Sequence, residues 1–167
     1  MAIRRRETGK KKAAKRSPRK TVRPAARPSK RPQRKTEPET LRLRSIEPSL
    51  TVADLQRSIK FYSEALGFFI SDRHTDKSGT LLGVMLKAGV CEIGLSQDDW
   101  AKGRDRQRGG AMRIYCTTVQ DIDKLAARVK AAGYQLTDDA RDQAWGGRAF
   151  SVDDPDGFHL TIYRPTE

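Results

Sequence analysis

Val52-Ala53-Asp54-Leu55 opens an amphipathic run that closes at Gly67-Phe68, and Val119-Gln120-Asp121-Ile122 opens a second that closes at Gly133-Tyr134. The second run begins 67 residues after the first and ends 66 residues after it. In each, an aspartate stands where a helix N-cap is wanted and a glycine where the helix must stop. Leu55, Ile59, Tyr62 and Leu66 fall on one helical face, as do Ile122, Leu125, Ala126 and Val129. A helix recurring at this interval predicts two related modules, and two modules packed together predict a cleft where function would sit.

Strand patterns flank both helices. Leu41, Leu43 and Ser45 alternate with Arg42 and Arg44, and this strand is expected to continue past Pro48 to Val52. Pro48 has no backbone donor, which favours an edge or a bulge there. Phe68–Arg73 reads as a strand, Asp76-Lys77-Ser78-Gly79 as a turn, and Leu81–Leu86 with Val90–Ser96 as a hairpin. In the last of these Cys91, Ile93 and Leu95 share one face, and Glu92, Gly94 and Ser96 the other. Polar residues 97–110 form a connector. Strand Met112–Val119, helix Ile122–Ala132 and strands near 134–137, 147–153 and 158–164 follow. Asp154-Pro155-Asp156-Gly157 joins the last two as a tight turn. Each half thus reads strand, helix, strand, strand, strand, an α+β class with module one at 41–96 and module two at 111–165.

The formal charge of +13 is local. Residues 1–40 hold 16 of the 34 Lys/Arg and 3 of the 21 Asp/Glu, so the remainder carries 18 of each sign. The segment has prolines at 18, 24, 28, 32 and 38 and, after Met1, only Ile3 and Val22 as large apolar residues. It cannot bury enough apolar surface to offset its chain entropy and is expected to be a disordered basic tail. Such a tail suits non-specific contact with nucleic acid or another polyanion, and its lack of aromatics excludes base stacking. There is no apolar stretch long enough to span a membrane and no secretory h-region, so a cytoplasmic protein is expected. Cys91 and Cys116 lie in apolar runs and are expected to be core residues.

Leu50-Thr51-Val52-Ala53-Asp54-Leu55, Ser58-Ile59-Lys60-Phe61-Tyr62 and Leu66-Gly67-Phe68 resemble the vicinal oxygen chelate superfamily, as do Val119-Gln120-Asp121-Ile122-Asp123, Trp145-Gly146 and Asp154-Pro155-Asp156-Gly157-Phe158-His159-Leu160. That group includes glyoxalase I, extradiol dioxygenases, and bleomycin- and fosfomycin-resistance proteins. The resemblance spans about residues 41–165 and implies two βαβββ modules forming a curved mixed sheet around a cleft, commonly in a homodimer. It is specific for fold and unspecific for activity.

The metal-dependent members place ligands on the first and last strand of each module. The matching positions here are Glu47, Glu92, Ile114 (or Arg113 if the register slips by one) and Thr161. Zinc, nickel, iron or manganese would find two carboxylates and two non-ligands, which counts against glyoxalase-type and dioxygenase chemistry. His159 shares a strand face with Thr161, so Glu47, Glu92 and His159 are the three residues a metal would use. The bland reading of His159 is a polar group that hydrogen-bonds a ligand or Tyr163. Glu47 and Glu92 either recognise a cationic or hydrogen-bonding ligand or act as acid and base, or they face solvent or pair with a nearby Arg. Trp100 and Trp145 either stack on a planar ligand or pack at an interface. Arg113, Tyr115, His159 and Tyr163 are candidate cavity-lining residues, with the facing of Arg113 and Tyr115 against Ile114 left open. The leading expectation is metal-independent binding of a small organic molecule, as in bleomycin-resistance proteins. The alternatives are a metal-dependent lyase, isomerase or dioxygenase, and a nucleic-acid-associated protein acting through its tail.

Overall fold

A computed structural model describes residues 43–166; the basic segment 1–40 and Leu41 lie outside the described residues. The strands are β1 (Ser49–Val52), β2 (Phe69–Thr75), β3 (Leu81–Ala88), β4 (Cys91–Gln97), β5 (Arg113–Thr117), β6 (Leu136–Asp142), β7 (Arg148–Asp153) and β8 (His159–Arg164). The helices are α1 (Leu55–Lys60), which runs on as a π-helical segment Phe61–Leu66, and α2 (Ile122–Ala131). The order strand, helix, strand, strand, strand occurs twice. Each set builds its own mixed sheet, in the orders β1-β4-β3-β2 and β5-β8-β7-β6, with the first and last strand of each module parallel.

Both caps read from the sequence are made. The Asp54 carboxylate accepts from the Arg57 amide, and that of Asp121 from the amides of Asp123 and Lys124. Gly67 adopts φ 85°, where a side chain would be strained, and its amide bonds the Tyr62 carbonyl five residues back. That widened turn shifts the buried face of the first helix. Ser58, Phe61, Tyr62 and Ala65 are buried, while Ile59 and Leu66 are half-buried.

Along the strands, burial alternates with the pleat. Leu50, Val52, Val84, Leu86, Ile93 and Leu95 of the first sheet face the helices, as do Phe150, Val152, Leu160 and Ile162 of the second. These residues and the inner helix faces form one continuous core. The seam between modules is also polar. The Tyr62 hydroxyl donates to Asp154 Oδ2 at 3.2 Å, and the Ala53 amide to Asp156 Oδ1 at 2.9 Å. Arg128 Nε of α2 donates to the Glu64 carbonyl at 3.0 Å, and Phe61 meets Tyr134 edge-on at 4.8 Å between ring centroids. Burial raises both ends of the Tyr62–Asp154 pair above their ordinary values.

Three expectations are corrected. Among the described residues the first strand begins at Ser49, later than expected. Residues 43–48 are not in a strand, because the β4 ladder reaches β1 only from Gly94 onward, with Pro48 giving its carbonyl to the Gly94 amide. Cys91 is exposed, since it opens β4 directly after a turn, whereas Cys116 is half-buried against the core; both are free. The π-helical segment replaces a uniform α-helical stripe.

Candidate functional site

Among the described residues, nothing covers the face of each sheet turned away from the helices. On the second sheet the question of facing is settled: Ile114 packs toward the core, while Arg113, Tyr115 and Thr117 are exposed on the other side. Strand register then builds this face in rows. Arg113 pairs with His159 and His159 with Asp153; Tyr115 with Thr161 and Thr161 with Ser151; Thr117 with Tyr163 and Tyr163 with Ala149. The β6–β7 turn carries Trp145 back over the sheet, where it meets Tyr163 edge-on at 5.2 Å. Tyr115, Thr117, Trp145 and Tyr163 line a hollow of about 350 Å³. Tyr115 and Trp145 are 64% and 57% exposed, an unusual outlay of aromatic surface for a side with no packing partner among the described residues.

Beneath Tyr115 the Thr161 and Ser151 hydroxyls, both buried, satisfy each other at 2.9 Å. One row further, His159 Nδ1 lies 2.6 Å from Asp153 Oδ1. The first sheet brings together different chemistry. Glu92 is 3.1 Å from Lys87 in an ion pair, and Gly94 lies between Ser49 and Met85. Glu47 precedes β1, is exposed, and accepts from the Ser45 hydroxyl at 2.7 Å.

Trp100 sits apart, in the connector, with φ 62°; the guanidinium groups of Arg104 and Arg108 lie 4.6 Å and 4.9 Å from its ring centroid. The buried Asp98 carboxylate anchors this loop, accepting bidentate bonds from Arg106 and Arg108 and the Trp100 amide. Hydrogen bonds from Arg106, then Arg108 and the Trp100 amide, hold its pKa down at about 2 against the opposing effect of burial.

The positions that resemblance assigns to metal ligands do not fit a metal within one chain. Glu92 is paired with Lys87, Ile114 is turned to the core, and Thr161 is bonded to Ser151. Glu47, Glu92 and His159 are not assembled either: the carboxylates belong to the first module, while His159 is on the second sheet with Asp153 as its partner. Among the described residues no three His, Cys, Asp or Glu side chains are grouped closely enough to hold a metal ion.

The sequence reading missed Asp153, Ser151 and Thr117. The signal for the first two was present. A hairpin closed by Asp154-Pro155-Asp156-Gly157 places 153 opposite 159 and 151 opposite 161.

The family model of the Glyoxalase/Bleomycin resistance protein/Dioxygenase superfamily matches residues 42–162. The chain belongs to this superfamily. A bleomycin resistance protein of Geobacillus stearothermophilus is 30% identical over 134 residues, covering 73% of this chain and 96% of that protein. Among solved structures, TioX from Micromonospora sp. ML1 superposes with a TM-score of 0.60 at 21% identity, over 72% of this chain and 98% of that one. TnmS3, an antibiotic binding protein from Streptomyces sp. CB03234, superposes with a TM-score of 0.55 at 23% identity, over 72% and 93%. The superfamily fold is therefore present as two four-stranded mixed sheets.

Proposed function

We propose that this superfamily member binds a small organic molecule directly, without a metal, on the open face of its second sheet. The observation that carries the reading is the pairing of exposed Trp145 with half-buried Tyr163 which, with Tyr115 and Thr117, lines a hollow of about 350 Å³. That volume lies within the usual range of about 300–1,000 Å³ for ligand pockets, and edge-paired aromatics offer a flat surface to a planar group. The kinship with bleomycin resistance proteins points the same way. The test is calorimetry and thermal shift on the full chain with bleomycin and a panel of planar aromatic compounds. At least one should bind, and Trp145→Ala should weaken it about tenfold or more. A panel with no binder, or binding indifferent to Trp145→Ala and Tyr163→Ala, would remove the reading.

The same face suits a homodimer that deepens the hollow, because β1 and β5 each have an unpaired edge among the described residues and Tyr115 is exposed beside one of them. Sedimentation should give twice the chain mass of 18.8 kDa. A separate reading attaches to residues 1–40. Their 16 basic residues against 3 acidic ones support non-specific, steeply salt-dependent DNA contact. It should vanish when the segment is deleted, without loss of small-molecule binding. The two free cysteines and the lack, among the described residues, of a helix long and apolar enough to cross a membrane fit a reducing, cytoplasmic setting.

A further inference from the structure

The aromatic hollow uses one end of the second sheet's open face. At the other end Arg113, His159 and Asp153 stand side by side in a single row across β5, β8 and β7. Asp153 engages Nδ1 of the imidazole at 2.6 Å. An ionised carboxylate can only accept, so this contact fixes the proton on Nδ1 and leaves Nε2 free for another partner. His159 is half-buried, so the ring is held rather than swinging in solvent. Among the described residues the arginines in ion pairs are Arg106, Arg108, Arg141 and Arg148; Arg113 is not one of them.

Charge complementarity then selects the ligand. A cation placed here would meet an unneutralised guanidinium, while the one carboxylate of the row already serves His159. An oxyanion would gain Arg113's planar fork of donors. The spacing selects its shape. His159 and Tyr163 are four residues apart on β8, about 13 Å along an extended strand. Tyr115 lies in the row between the two ends.

We propose that the open face of the second sheet takes an elongated aromatic anion. A flat ring rests against Trp145 and Tyr163, and a carboxylate or similar oxyanion at the far end is held by Arg113, while His159 Nε2 is left to accept from a neighbouring N–H or O–H. Asp153 is a positioning residue that sets the imidazole's tautomer. This rests on the small-molecule reading above and adds the ligand's class, length and orientation.

Calorimetry on the full chain with 6-(2-naphthyl)hexanoic acid and its primary amide tests it. The two probes share ring and length and differ in charge. The acid should bind about tenfold or more tightly than the amide, the scale of one charge-assisted contact. Arg113→Gln should erase that preference while leaving the melting temperature unchanged, and Arg113→Lys should restore part of it. Trp145→Ala should weaken both probes together and keep their ratio. Equal binding of acid and amide, both weakened by Trp145→Ala, would overturn the anion assignment and leave the small-molecule reading standing. An acid preference that survives Arg113→Gln would also overturn it. If neither probe binds and no planar compound shifts the melting temperature, both readings fall.

Discussion

The two open sheet faces have the same topology and opposite chemistry. Matching core residues align Ile93 and Leu95 of β4 with Leu160 and Ile162 of β8. The paired positions Glu92/Lys87, Gly94/Met85 and Ser96/Gly83 of the first sheet then correspond to His159/Asp153, Thr161/Ser151 and Tyr163/Ala149 of the second. In the first sheet the charges neutralise each other and two glycines leave the surface flat. In the second, the equivalent pair keeps a ring nitrogen available and a tyrosine rises to meet a tryptophan. A repeated backbone thus provided two equivalent platforms, and the side chains of one have the makings of a binding site.

This contrast presumes that both faces rest on one seam, which is the strongest place to break it. Tyr62 is fully buried in module one and bonded to Asp154 in module two. Tyr62→Ala should cost about 4 kcal/mol, as expected for removing a large buried aromatic side chain. Urea unfolding should remain one transition for both modules. Two separate transitions would mean the faces are supported independently.

A smaller change asks whether the flat face is flat for packing reasons. A Cβ at Gly94 would meet Met85 Sδ and Ser49 Oγ, each at 3.3 Å. Gly94→Thr, which copies the second sheet's residue into the first, should cost about 1–2 kcal/mol through crowding. A neutral or stabilising result in chemical denaturation would show that the first face tolerates the second's relief. Smaller still is Lys87→Met. The Lys87–Glu92 pair is partly exposed, so its loss should cost less than about 1 kcal/mol and be masked by high salt.

The finest comparison is by pH, between two buried carboxyls near the seam. Asp98 is held at about 2 by its arginines, so it releases more protons in the folded state than in the unfolded chain. Its contribution is complete above roughly pH 4, the unfolded value, and is lost as pH falls toward 2. Asp154 is shifted upward by burial, so its contribution runs the other way and grows on acidification. Asp98→Asn should flatten the acid limb of the stability profile, and Asp154→Asn should steepen it.

The duplicated modules were legible because their punctuation is local. Asp54, Asp121, Gly67 and Gly133 act within a turn of their own helices, and Asp154-Pro155-Asp156-Gly157 closes its own hairpin. The candidate site was legible in its members but not in its assembly. Trp145 and Tyr163 are 18 residues apart and meet only through the β7–β8 ladder. Whether Arg113 or Ile114 faces out depends on a one-residue register that local sequence sets weakly. The Asp98 anchor escaped notice because its arginines lie in a polar connector with no periodicity, and the widened turn at Phe61 because it follows from tertiary packing.

Arg128 has a consequence for cutting the molecule in two. Its guanidinium, reaching from the second half, closes the carbonyls of Ser63 and Glu64 at the end of the first half's helix. It passes so near Gly67 that a methyl group there would lie 2.7 Å from Arg128 Nη1. The first half alone is thus a helix with two end carbonyls left without their partner, and the second alone an arginine without its acceptors. Separated at the connector, the two pieces would be complementary fragments that regain order on meeting, a natural basis for a split reporter.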